Sequence, residues 1–293
     1  MNPYDMSARN LLEVDDLRVR FHTPQGVVNA VRGIGFTVGR EKVGIVGESG
    51  SGKTLTGRSV LRILPHHAEM TAARLRFDGI DLLRASSQAM QRVRGRRISM
   101  VMQDPKFSLN PTMTAGRQIA ETAILHEKLS KSIARDKVLS MLESVRIRDP
   151  RRVFDAYPHE LSGGMGQRVM IAMMLITEPD LLIADEPTSA LDVAVQNQVL
   201  EIIDELVSRR HMGLLFISHD LNLVGSFCDR VLVMYGGQIV ETLAGDRLQH
   251  ASHPYTRGLL AAMPRVDRPS AVLPVLRRDP AWLSLQRPDA GAR

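Results

Sequence analysis

Two glycine-rich stretches in this chain have the composition of loops that hold phosphate. The first, GESGSGKT from Gly47 to Thr54, fits the pattern G-x-x-x-x-G-K-[ST]. Its glycines let the backbone turn so that successive N–H groups converge on an anion, at the start of a helix whose dipole favours negative charge. Gly47, Glu48, Ser49, Gly50, Ser51 and Gly52 are therefore expected to wrap phosphates. Lys53 would reach the β- and γ-phosphates and Thr54 would ligate Mg²⁺ through its hydroxyl. The second stretch, Ser162-Gly163-Gly164 within HELSGGMGQR, has no apolar strand leading into it, and raises the question of what one chain does with two such loops.

A phosphate loop of this kind works with a Mg²⁺-binding carboxylate at the end of another buried strand. The segment LLIADE supplies Asp185 in that position, and Glu186 follows directly, placed to orient or deprotonate a water near the γ-phosphate. Together these residues specify nucleoside triphosphate hydrolysis.

The elements that must position them are legible as well. VGIV at 43–46, LLIAD at 181–185 and LLFIS at 214–218 are short, apolar runs suited to strands buried on both faces, and segments of helical periodicity separate them. That alternation predicts a parallel α/β core. Before it, Leu17, Val19 and Phe21 alternate with arginines, and Ile34, Phe36 and Val38 with small or polar residues, the period-two pattern of a small antiparallel sheet. Residues 106–178 carry helical patterns at Thr114–Leu125 and Ser130–Arg146 and no strand pattern, so they read as a helical subdomain inserted into the core. RVLVMYGGQIVE at 230–241 reads as two strands joined at Gly236-Gly237. After residue 264 periodicity fades into a Pro- and Arg-rich stretch expected to form a loosely ordered tail.

Bulk composition narrows the class. The chain has 293 residues, 44% hydrophobic, enough for a large core. Its one cysteine, Cys228, excludes an internal disulfide, a four-cysteine zinc site and a cysteine-held cluster, and fits a reducing compartment. The longest apolar run, Val169–Ile176, falls far short of the roughly 20 residues a spanning helix needs, and the N-terminus carries no secretory pattern. The net charge of +6 comes from scattered arginines without a run of like charges, which reads as a solvated basic surface rather than a nucleic-acid patch.

Spacing makes the motifs specific. Ser162 precedes Asp185 by 23 residues, and SALD at 189–192 follows almost at once. The array LSGGMGQRVMIAMMLITEPDLLIADEPTSALD, from Leu161 to Asp192, resembles the ATP-binding cassette (ABC) ATPases, and the likeness covers roughly residues 11–250. It implies an α/β fold: a P-loop NTPase (RecA-like) core with an N-terminal antiparallel β subdomain and an inserted α-helical signature subdomain, followed by an extension from 251 to 293. Carried across residue by residue, Gly47–Thr54 resembles the Walker A loop, Asp185 the Walker B carboxylate and Glu186 the catalytic glutamate. Gln103, in MVMQDP, is similar to the glutamine that senses Mg²⁺ and the attacking water, His219 in FISHD to the switch histidine at the γ-phosphate, and Phe21 to the aromatic that stacks on adenine. The signature serine loop normally ends in Gln, where this chain has Met165 and carries Gln167 two residues later; Met165, with MQDPKFSLNP, YPHELSGGM and SHPYTRGLLAAMPRVD, resembles the dipeptide, oligopeptide and nickel importer branch. Members of that branch often end in a cysteine-bearing segment, and this chain does not.

The resemblance implies two cassettes facing head to tail, each ATP held by the Walker A loop of one and by Ser162, Gly163 and Gly164 of the other. It therefore implies a second, paralogous ATPase subunit, two integral-membrane permease subunits and an extracytoplasmic binding protein as partners, without nucleic acid. The chain would sit at the cytoplasmic face of the inner membrane and use ATP and Mg²⁺ to power import of small peptides or a nickel chelate. The competing reading is a non-transport member acting in DNA maintenance or translation, but the interval from Gly47 to Ser162 leaves no room for the coiled-coil or zinc-bearing arms of DNA-repair members, and translation factors carry two cassettes per chain where this sequence has one.

Overall fold

The computed structural model describes residues 10–102, 109–189, 191–263, 276 and 278–283. The chain forms two compact units, one built from residues up to Arg84 and from Leu215 onward, the other from Ala85 to Leu214.

The first unit opens with the long antiparallel pair β1 (Leu12–Thr23) and β2 (Gly26–Val38). Their buried faces are those the alternation marks, with Leu17, Val19, Ile34 and Val38 essentially inaccessible. β3 (Lys42–Val46) then leads into the phosphate loop and α1 (Lys53–Val60). Three short strands follow that the sequence reading does not anticipate: β4 (Ala68–Thr71), β5 (Arg74–Phe77) and β6 (Ile80–Asp81). They are two to four residues long, and β5 puts arginines on its outer face, so no periodic run announces them. A bulge in β1 decides where they pair. Asp16 has φ 47°, and on either side of it β1 takes different partners, β5 along Leu12–Asp15 and β4 along Arg18–Phe21.

The second unit begins with α2 (Ser87–Val93) and β7 (Ile98–Val101) and continues through α3 (Ala115–Glu127), α4 (Lys131–Ser144), α5 (Pro150–Asp155) and α6 (Gly163–Leu175) to β8 (Leu181–Asp185) and α7 (Val193–Arg209). β7 and β8 pair in parallel, Ile98 opposite Leu181. Both strands are buried along their length, as mainly apolar sequences require, with Ser99 and Asp185 the polar residues among them. Among the described residues between β7 and β8 the chain is helical or irregular, with no strand. The helix starts follow side-chain caps: Ser130, Asp149, Ser162 and Asp192 each accept a backbone N–H three residues on. Arg97 anchors the start of the strand pair, its guanidinium 2.8 Å from Asp180.

β9 (Gly213–Ile217) spans the boundary in sequence, and the first unit resumes with α8 (Leu221–Phe227), β10 (Arg230–Tyr235), β11 (Gln238–Ala244) and α9 (Pro254–Ala262). β11, β10, β3 and β9 lie side by side in that order, with β10 parallel to β3 and antiparallel to β11. Of the expected tail, Leu276 and residues 278–283 are described, the latter containing a 3₁₀ turn at Pro280–Leu283; residues 264–275, 277 and 284–293 lie outside the described residues. No described helix is long and apolar enough to cross a membrane.

Packing in the helical unit leaves one glycine no latitude. At Gly116 in α3 a Cβ would lie 2.2 Å from the Phe154 ring of α5. Gly116→Ala should therefore destabilise the protein by about 1–3 kcal/mol in urea denaturation, despite the better helix propensity of alanine, and Gly116→Ala with Phe154→Leu should recover part of the loss.

Candidate active site

In the first unit, β3 delivers the chain to the phosphate loop from a strand buried from Val43 to Val46. Gly47 turns out of that strand with φ 153°, and a Cβ there would lie 2.1 Å from the carbonyl oxygen of Met234. Neither the dihedral nor the space admits another residue. Gly52, at φ 102°, starts α1, and a Cβ on it would come within 2.8 Å of Ala30 O. Between them the loop curls around Lys53, whose buried ammonium donates to Gly47 O at 2.8 Å and to Glu48 O at 2.9 Å. The charge is thus held inside the curl by carbonyl dipoles, facing the place where an anion would lie.

Ser51 gives a separate indication of that anion. Its side chain is 4% exposed, and Oγ has no hydrogen-bond partner among the described residues. A buried hydroxyl left unmatched is costly unless something supplies its bond, and a phosphate oxygen is the acceptor this loop is shaped for. Thr54 follows Lys53 at the head of α1 and is half-buried. The residues present fit a nucleoside triphosphate and the ion that accompanies it.

His219 belongs to the same unit. Ser218 N donates to Ile45 O at 3.1 Å, which places the end of β9 beside the end of β3, and His219 is the next residue. It is exposed, and Asp220 behind it caps α8 by accepting from Leu223 N at 3.0 Å. Phe21, near the end of β1, is half-buried, unlike Leu17 and Val19 on the same strand face, and its ring centroid lies 5.3 Å from that of His67. It is less covered than the core side chains of the same strand.

In the second unit, Asp185 ends β8 at 4% exposed and Glu186 is half-buried. Glu186 adopts φ 47°, a left-handed conformation that costs a non-glycine residue energy and that the fold must impose. The imposing contacts lie just beyond it. Ser189 donates to Glu186 O through both its N–H (3.3 Å) and its hydroxyl (3.2 Å), and the Gln167 amide donates to Pro187 O.

Ser162 is the N-cap of α6, its Oγ accepting from Met165 N at 3.3 Å. Gly163 faces open space, whereas Gly164 packs where a Cβ would meet Val195 at 2.8 Å. The three residues border a cavity of about 600 Å³ whose charged lining is Arg146, Arg148, Arg152 and Arg168 against Asp149 and Asp192, a net cationic setting. Met165 contributes its backbone N–H to the cap, so the side chain at this position is not what shapes the loop. Gln167 is 2% exposed and points inward to Pro187 instead of standing in for the missing glutamine. Gln103 lies outside the described residues.

The role of Gln167 is the residue assignment that motif reading misses, because a glutamine inside an apolar helix has no distinctive spacing. Gln167→Met would leave the buried carbonyl of Pro187 without its donor. We expect nucleotide hydrolysis to fall about tenfold, the equivalent of about 1.4 kcal/mol at the Glu186 turn, while nucleotide affinity at the phosphate loop stays within about twofold of wild type; parallel turnover and equilibrium binding measurements separate the two.

Comparison with known proteins places this geometry. A family model described as ABC transporter matches residues 31–189. The dipeptide transport ATP-binding protein DppD of Bacillus subtilis is 47% identical over 266 residues, covering 90% of this chain and 79% of its own length. The oligopeptide transport ATP-binding protein OppD of the same organism is 47% identical over 260 residues, 88% of this chain and 73% of its own. Among solved structures, the dimeric ATP-binding cassette MJ0796 in a post-hydrolysis state bound to ADP and Pi superposes with a TM-score of 0.72 at 23% identity, covering 80% of this chain and 98% of its own; at that identity the likeness speaks for the fold. The α/β cassette fold expected from the motifs is the fold of this protein. With the family model spanning more than half its length and relatives nearly half identical over about nine-tenths of it, the chain belongs to the ABC transporter family.

Proposed function

We propose that this protein is the ATP-hydrolysing subunit that powers import of small peptides through a bacterial inner-membrane ABC transporter. The observation that carries the reading is the 47% identity, over about nine-tenths of the chain, to proteins named for dipeptide and oligopeptide transport. It favours peptides over a nickel chelate, since the relatives carry the former in their names. It also disfavours a role in DNA maintenance or translation, and the helices between the two phosphate loops reach at most 14 residues among the described ones, short of an extended arm. The cassette would occupy residues 11–250, with 106–178 as its helical subdomain.

The residues divide the work in a definite way. Backbone N–H groups from Gly47 to Thr54 and the Lys53 ammonium neutralise the β- and γ-phosphates, and Phe21 offers the adenine a stacking face. Thr54, Asp185 and Gln103 would hold Mg²⁺, which supplies charge neutralisation across the phosphates. Glu186 orients and deprotonates the attacking water, its turn held by Ser189 and Gln167, and His219 with Gln103 contacts the γ-phosphate. Ser162, Gly163 and Gly164 take up the γ-phosphate bound by a second cassette, a paralogue packed head to tail. ATP binding then closes the pair because each γ-phosphate gains partners on both sides, and hydrolysis reopens it. Two membrane permease subunits convert that cycle into alternating access for substrate delivered by an extracytoplasmic binding protein. Nucleic acid has no part in it, and the chain works peripherally at the cytoplasmic face.

Glu186→Gln should keep ATP binding but cut hydrolysis by about 100- to 10,000-fold and trap a closed dimer visible by size-exclusion chromatography; turnover at the wild-type rate removes Glu186 from its role. Ser162→Arg should block hydrolysis in the assembled pair while equilibrium binding of ATP to this chain's own Gly47–Thr54 loop is retained, and loss of that binding instead contradicts the head-to-tail arrangement. A deletion strain should lose uptake of labelled di- or oligopeptides and retain uptake of nickel; the reverse pattern overturns the peptide assignment.

A further inference from the structure

The phosphate loop carries an acid where an anion must bind. Glu48 directly follows Gly47, and an unpaired carboxylate beside a triphosphate would oppose binding. The far end of the chain answers it: Arg278 Nη2 lies 2.9 Å from Glu48 Oε1. The contact is part of a small assembly in the first unit. Glu48 N donates to the Tyr255 hydroxyl at 3.1 Å. Tyr255 is fully buried, and burial pushes its hydroxyl up to about 12, so it remains a neutral acceptor at physiological pH. Its ring packs against Tyr235 at 4.4 Å between centroids, and Trp282 covers both, 5.7 Å from Tyr235 and 5.8 Å from Tyr255. Asp279 accepts from Ala281 N and, through its carbonyl, from Trp282 N, which fixes the turn between Arg278 and Trp282.

We propose that the segment Arg278–Trp282 is a clasp on the phosphate loop, in which Trp282 anchors the segment on Tyr235 and Tyr255 and Arg278 acts as a positioning residue that turns the Glu48 carboxylate aside and neutralises it. The two ends of one residue are thus both held, the Glu48 backbone by Tyr255 and its carboxylate by Arg278. The loop enters nucleotide binding already curved and with one negative charge fewer facing the triphosphate. The inference rests on the reading of Gly47–Thr54 as the ATP loop.

Fluorescent ATP-analogue binding to the full chain, at low and at high ionic strength, tests it. Arg278→Ala should raise Kd about two- to fivefold at low salt, with the difference shrinking at high salt, and Arg278→Lys should restore most of the affinity. In a Glu48→Gln background the Arg278→Ala change should have no further effect, because there is no charge left to neutralise. Trp282 is the only tryptophan in the chain, so its emission reports directly whether the clasp is seated; Arg278→Ala should shift it toward the red as the ring becomes more exposed. Trp282→Ala should weaken binding with the melting temperature nearly unchanged. If wild type binds the analogue and Arg278→Ala binds it equally well at low salt, or if Glu48→Gln fails to cancel the loss, the clasp is wrong. If wild type does not bind it at all, the reading of the ATP loop fails instead.

Discussion

The structure depends on one constraint: a loop that binds a polyanion through its backbone must be bent tightly on the inside and braced from the outside. The register of β10 on β3 supplies the outer wall. Val233 lies opposite Val46, so the next residue, Met234, meets Gly47, and its carbonyl occupies the space a side chain would need. The hairpin turn beyond β10 completes the brace, Gly237 donating to Ser51 O at 3.1 Å and accepting from Arg32 N at 2.8 Å. β2 closes the base, where Ala30 O leaves no room for a Cβ on Gly52 or on Gly237. The converging N–H groups are therefore a property of four strands and their packing as much as of eight residues.

A comparable economy governs the second unit. One helix, α6, is capped by Ser162 at its N-terminus and, a turn later, uses Gln167 to hold the carbonyl just beyond Glu186. Its remaining inward residues, Val169, Met170, Ile171, Ala172 and Leu175, are buried. The serine end of the helix and the turn that carries Glu186 are thus joined through one element. The link is a contiguous hydrogen-bonded element, not a mere proximity in sequence. The left-handed Glu186 fits this role, since a strained turn keeps its shape while its neighbours hold it.

Legibility followed from how local each feature is. The buried strands, the Gly236-Gly237 hairpin and the helix after Ser130 could be read because apolar period, turn chemistry and caps are properties of a few adjacent residues. The strands β4 to β6 could not, because β4 and β5 are placed by a bulge in a strand more than fifty residues away, β6 pairs with β5, and all three carry too few residues to show a period. The half-exposure of Phe21 was not legible, since it depends on what packs over that face of β1 and not on the residues beside it in sequence.

The sequence alone determined the chemistry: a glycine-rich loop after a buried strand, a carboxylate pair after another and a serine-glycine loop at a fixed distance have few other uses, because phosphate binding demands positive φ, backbone N–H groups and a compact cation. Tertiary structure decided what holds those residues in place. Gln167 on Pro187, Met234 against Gly47, and Arg278 and Tyr255 on Glu48 join residues separated by between 20 and 230 positions. No local pattern encodes such pairs, since each depends on the register of strands and the packing of helices that form only when the whole chain folds.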